Sequence, residues 1–118
     1  MPRKNPLQPD PEALPPTGVR ILELRVEPWP DGRRVRVHVA LTPFQQRPNL
    51  SACIVSPSGE EIAAVEIIES MDDRFVFTMH LRGDPAETHF NLTLSVHYPD
   101  LNQVDRRSLD FEVTPGAE

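Results

Sequence analysis

Phe90-Asn91-Leu92-Thr93-Leu94-Ser95-Val96-His97-Tyr98 alternates apolar and polar side chains almost without a break. In an extended chain successive side chains point to opposite faces, so this stretch reads as a strand whose dry face carries Phe90, Leu92, Leu94 and Val96. The same beat recurs in Val35-Arg36-Val37-His38-Val39-Ala40-Leu41 and in Phe75-Val76-Phe77-Thr78-Met79-His80-Leu81. A helix would repeat its apolar positions every three or four residues instead. Period two therefore sets the fold class as all-β.

Working outward from these runs, seven strands emerge. Val19 to Glu27 forms the first, but Val19 and Ile21 differ in parity from Leu22, Leu24 and Val26, which predicts a bulge or a passage between sheets. Pro28-Trp29-Pro30-Asp31-Gly32 is a turn, since proline pre-sets φ and glycine accepts a positive one. The second strand is Arg33 to Leu41, followed by a connection bracketed by Pro43 and Pro48. Leu50 to Val55 is the third strand, and Ser56-Pro57-Ser58-Gly59 turns the chain. In the fourth, Glu61 to Glu69, Ile62 and Ala64 conflict in parity with Val65 and Ile67, and a short helix also fits. Arg74 to Arg82 and Thr88 to Tyr98 are the fifth and sixth. In the seventh, Val104 disagrees with Leu109, Phe111 and Val113, which predicts a bulge near Asp105 to Ser108. Seven strands without long helices predict an antiparallel β-sandwich over residues 19–114. Residues 1–18, with six prolines, read as a flexible tail, and 115–118 as a short C-terminal one.

This strand count, the turn Ser56-Pro57-Ser58-Gly59-Glu60 and the long sixth strand ending at Tyr98 resemble the immunoglobulin-like or fibronectin type III-like superfamily in its bacterial forms. The chain departs from the superfamily's landmarks. Val37 and Leu94 stand at inward positions where immunoglobulin domains carry paired cysteines. Trp29 lies in the first connection instead of the third strand, and Phe90 stands near the usual tyrosine corner. The resemblance implies that the second and fifth strands share one sheet while the third, sixth and seventh share the other. It also implies a spacer or a surface that binds other proteins.

Composition narrows the function classes. A net charge of −6 over 118 residues disfavours nucleic acid and an anionic membrane surface, both of which select clustered positive charge. Cys53 is the only cysteine, so no internal disulfide forms. No apolar stretch follows the charged start, which predicts neither a signal peptide nor a membrane span, and hence a cytoplasmic protein. Asn49-Leu50-Ser51 and Asn91-Leu92-Thr93 match the glycosylation pattern, which without an export signal is read as chance.

Chemistry is sparse. His38 and His80 point outward on neighbouring strands beside Arg36 and Arg82, whose charge opposes a metal. His89 and His97 stand about 26 Å apart along one strand, too far to share an ion. Cys53 has no neighbouring basic cluster to lower its pKa. Glu60-Glu61 and Asp72-Asp73 sit at strand ends, where acids gather for solvation, and Glu61, Glu66 and Glu69 are expected to face Arg34, Arg36 or Arg74. No catalytic, metal or cofactor site is predicted. The expected function is protein–protein contact, with a partner or with a second copy of the chain. The surface is the uncharged outward face carrying Ser51, Cys53, Val55, Asn91, Thr93 and Ser95, beside Ser108 and Asp110. The rival expectation is a small-ligand or carbohydrate site that stacks on Trp29 and Phe44.

Overall fold

The structure is a computed structural model that describes residues 11–84 and 86–114. Seven strands fold into two antiparallel sheets: β1 (Ile21–Pro28), β2 (Arg34–Leu41), β3 (Asn49–Val55), β4 (Glu61–Ile67), β5 (Arg74–His80), β6 (His89–Tyr98) and β7 (Asn102–Glu112). One sheet has the order β1-β2-β5 and the other β4-β3-β6-β7. β4 is a strand, so the helical alternative falls. Its pairing with β3 places it opposite the sheet that holds the fourth strand of constant-type immunoglobulin domains.

The interior is built from the alternating faces. Val35, Val37, Val39 and Leu41 of β2 are buried, as are Leu50, Ala52 and Ile54 of β3 and Phe90, Leu92, Leu94 and Val96 of β6. From β5 only Met79 is fully buried, while Phe75 and Phe77 pack against the core half-exposed. The reason is position: β5 is an edge strand, with no described strand paired beyond it.

All three parity conflicts resolve as bulges. In β1, Ile21 pairs with Leu41 but Glu23 with Ala40, so Leu22 is the extra residue and its side chain is 56% exposed. In β4, Ala63 pairs with Ile54 but Glu61 with Val55, which lets Ile62 turn inward out of phase with Val65 and Ile67. In β7, Asp105 pairs with Val96 but Gln103 with His97, so the extra residue is Val104, one place before the expected span. An extra residue flips the face of everything beyond it.

The β7 bulge has a structural use. Asp105 Oδ2 accepts the Ile21 N–H at 2.8 Å, and Arg107 donates to Ile21 O at 2.9 Å and Leu22 O at 3.3 Å. Side chains of one sheet thus satisfy main-chain groups on the free edge of β1 beside its bulge, tying the two sheets together along one side. At the end of β6, Tyr98 donates its hydroxyl to Gln46 O at 2.8 Å and anchors the β2–β3 connection. Burial raises the pKa of that phenol.

The last few residues of the expected flexible tail are packed onto the sandwich. Leu14 bridges to Phe44, its N–H donates to Pro43 O at 2.9 Å, and Pro16–Gly18 forms one 3-10 turn ahead of buried Val19. Prolines keep this segment extended without needing a ladder, while Leu14 supplies the apolar contact. Residues 1–10 and 115–118 lie outside the described residues.

Two outcomes follow for stability. Val37→Asp puts a carboxylate at a position with no solvent exposure, losing about 1.5–3 kcal/mol of burial and adding an unpaired buried charge. The variant should show no cooperative thermal transition; a sharp melt from soluble Val37→Asp protein would show that the face is misassigned. Arg107→Ala should keep the fold but lower unfolding free energy by about 1–3 kcal/mol, the scale of charged hydrogen bonds, measured by urea titration.

Candidate functional site

The outward face of β4-β3-β6-β7 is ordered in rows by its register. Ala64, Cys53, Thr93 and Ser108 lie opposite one another in turn and cross all four strands without a charge. On one side stands the row Glu61, Val55, Asn91 and Asp110, and on the other Glu66, Ser51, Ser95 and Arg106. Charges therefore sit at the ends of the flanking rows, and the centre is small and neutral. The six residues singled out from sequence do share this one face.

Its polar atoms are largely satisfied among themselves. Asn91 donates to Asp110 at 2.9 Å, Thr93 Oγ1 lies 2.8 Å from Ser108 Oγ, and Thr93 also donates to Asn91 at 3.3 Å. Ser51 Oγ donates to Glu66 at 2.8 Å and lies 3.1 Å from His97 Nε2. These groups keep their partners when water is displaced from above them. Sequence reading missed the Ser51–Glu66–His97 cluster, because only strand pairing brings residues so distant together. Its connectivity does not activate a nucleophile. The carboxylate holds the serine proton directly, whereas a catalytic base must be oriented by the acid and receive that proton itself.

Cys53, at the middle of the neutral row, donates to Glu61 at 3.6 Å. Burial first, then the Glu61 charge and hydrogen bond, raise its thiol pKa above the ordinary 9.0. The thiolate, not the thiol, is reactive, so Cys53 is a poor nucleophile.

The other outward face, on β1-β2-β5, is laced with charge. Arg74 reaches Glu23 at 3.8 Å, His38 and Glu27 meet at 3.1 Å, and Arg34 holds Asp31 at 2.8 Å. The hydrogen bond from His38 leads the lowering of the Glu27 pKa, and the Arg33 N–H leads that of Asp31. The acids of the fourth strand therefore do not face Arg34, Arg36 or Arg74. β4 joined the opposite sheet, so Glu66 bonds Ser51 and Glu61 bonds Cys53.

The histidines are dispersed. His38 pairs with Arg25 and Val76, and His80 with Arg34, so the two are not side by side. His89 lies 3.7 Å from Glu112, and His97 touches Ser51. Among the described residues no three His, Cys, Asp or Glu side chains gather closely enough to hold a metal ion. No described helix is long and apolar enough to cross a membrane.

Trp29 and Phe44 do not form one platform. They flank opposite ends of β2, roughly 23 Å apart along the strand. The Arg34 guanidinium lies 4.0 Å from the centre of the Trp29 ring, and Phe44 is half-buried against the core. A cleft of about 490 Å³ does open at the other edge of the neutral face, where His89 and Glu112, and Asn91 and Asp110, face each other beside Pro57 and Phe111. No sequence signal marks it, because its residues meet only across the β6–β7 register.

These features define an antiparallel β-sandwich with one sheet face uncharged at its centre and the other laced with charge. Neither a protein-family profile nor a curated protein matches the sequence. Solved structures match its fold at about one-tenth sequence identity. A glycosyl hydrolase family 2 member from Bacteroides cellulosilyticus is similar at TM-score 0.60 and 10% identity, covering 80% of this chain and 15% of that one. The Bifidobacterium dentium β-glucuronidase complexed with coumarin-3-O-glucuronide gives 0.61 and 11%, covering 80% and 17%. The Ruminococcus gnavus β-glucuronidase in complex with D-glucuronic acid gives 0.55 and 9%, covering 81% and 16%. This chain thus spans about a sixth of the length of the chains it matches. The likeness is one of fold.

Alkylation of Cys53 in the folded protein should be slower at neutral pH than that of an unstructured cysteine, and should rise as pH climbs toward the raised thiol pKa. Glu61→Gln removes the carboxylate and should accelerate it several-fold at fixed pH. An unchanged or slower rate would show that Glu61 does not hold the proton on sulfur.

Proposed function

We propose that this protein is a non-enzymatic β-sandwich module that binds another protein surface, a partner or a second copy of itself, through the outward face of β4-β3-β6-β7. The observation that carries this is the neutral Ala64-Cys53-Thr93-Ser108 row with charge confined to its margins. Depletion of charge at the centre and a polar rim around it are how protein interfaces are arranged. The internal hydrogen bonds of Asn91, Thr93 and Ser108 lower the cost of covering it, since few polar atoms would lose their only partner. The glycosidase likeness supports the reading further, because in those proteins the matching region is a small part of a much longer chain.

A long charged side chain at the centre of the face is the direct test. Thr93→Arg should fold normally and weaken complex formation at least about tenfold, the size expected at the heart of an interface. Solution mass and pull-down of both forms measure it; identical mass and identical captured protein would overturn the reading. A second reading, small-ligand or carbohydrate binding, is favoured by the His89–Glu112 cleft with its Phe111 wall. Trp29 lies outside that cleft, so saturable quenching of its fluorescence by a sugar would point to the Trp29 loop instead, whereas chemical-shift changes at Asn91 and Asp110 would select the cleft.

A further inference from the structure

Every second residue of β5 has its main-chain groups turned away from its sheet. The β2–β5 ladder is bracketed by Leu81 N–H donating to Arg33 O and by Leu41 N–H donating to Asp73 O, both at 2.7 Å. Both lie in the register that pairs Val37 with Phe77. Antiparallel bonding alternates, so the odd-numbered residues of β5 bond to β2. The N–H and C=O of Arg74, Val76, Thr78 and His80 then point to the free edge, and no described strand pairs there.

The other three edges are bulged and guarded by charge or proline, whereas β5 is charged only at its Arg74 end. β1 is bulged at Leu22, ends in Pro28 and is covered by Arg107. β4 is bulged at Ile62 and edged by Glu61 and Glu66. β7 is bulged at Val104 and carries Arg106, Asp110 and Glu112. β5 is regular throughout, and Phe75-Val76-Phe77-Thr78-Met79 contains no charge, proline or glycine. Val76 is 52% exposed. Proteins usually block such an edge unless something pairs with it.

The sequence of the strand is complementary to itself. An antiparallel two-fold centred on Phe77 sets Val76 opposite Thr78 of a second copy, with their free main-chain groups facing each other. The same operation brings the two Phe77 side chains together at a non-hydrogen-bonded position, where side chains approach most closely, and places Phe75 beside Met79 of the second copy. Phe75 and Phe77, stacked 6.1 Å apart and partly buried in the single chain, would gain further cover. The geometry points to β5 as a strand-addition edge whose occupant is the β5 of a second copy, giving one continuous six-stranded sheet β1-β2-β5-β5-β2-β1. This surface is separate from the neutral face and does not depend on it. Seven residues a side is well below the roughly 20–30 of a stable interface, so the dimer forms only at high concentration.

Sedimentation and light scattering between about 10 µM and about 1 mM should show the mass rise and level off at two chains, with a dissociation constant in that range. Thr78→Pro removes an N–H that faces away from β2, so the sandwich keeps its own ladder while the added one is blocked. Val76→Lys places charge on the same edge without touching the backbone. Both variants should melt cooperatively and lose the β5 dimer, and Thr93→Arg, in which the neutral face is blocked, should keep it. In the unaltered protein the Val76 and Thr78 amides should gain hydrogen-exchange protection as concentration rises. Constant mass at the highest concentration, mass growing without limit in Thr93→Arg, or loss of the dimer in Thr93→Arg but not in Val76→Lys would each overturn the proposal. The last outcome would leave the face-binding reading standing.

Discussion

The contact of β2 with β3 and β6 across the interior is the constraint on which the rest of the structure depends. Val35, Val37 and Val39 meet Leu50, Ile54, Leu92 and Leu94 with essentially no solvent between them. Each fully buried aliphatic side chain contributes about 1.5–3 kcal/mol, and a one-residue slip in either sheet would turn that whole set outward. Register is therefore fixed from the inside. The outward faces inherit their order from it, and the neutral row exists because its inward neighbours are locked.

Bulges reconcile this rule with a sequence that breaks it three times. Each extra residue, Leu22, Ile62 or Val104, lets a strand change face where its apolar parity changes. The bulges in β1 and β7 sit on the same open side, and there Asp105 and Arg107 take over main-chain groups that pairing has abandoned. Irregularity in one sheet is compensated by side chains from the other. On the opposite open side no described strand pairs with β5, and every second main-chain group of that strand faces away from its sheet.

The two outward faces divide the surface electrostatically. The β1-β2-β5 face holds alternating Glu, Arg and His side chains whose exposed pairs add little stability each but keep the face hydrated. The β4-β3-β6-β7 face collects hydroxyls, an amide and a thiol that bond to one another. The first face is therefore charged along its strands, and the second carries its charges at the ends of the rows that flank an uncharged centre.

By itself the sequence determined the strands and their inward sides, because alternation in Val35–Leu41 and Phe90–Tyr98 is a local property of an extended chain. It also marked where parity fails, and six residues of one outward face could be grouped from it. Tertiary structure decided which strands became neighbours. The placement of β4 beside β3 sent Glu61 and Glu66 to Cys53 and Ser51 instead of the arginines of the other sheet. The packing of Leu14 on Phe44, the Ser51–Glu66–His97 cluster and the strap from Arg107 to Ile21 likewise join residues far apart in the chain. No local pattern encodes such pairs, since hydrogen bonding between strands is set by register, and register by the burial of the whole core.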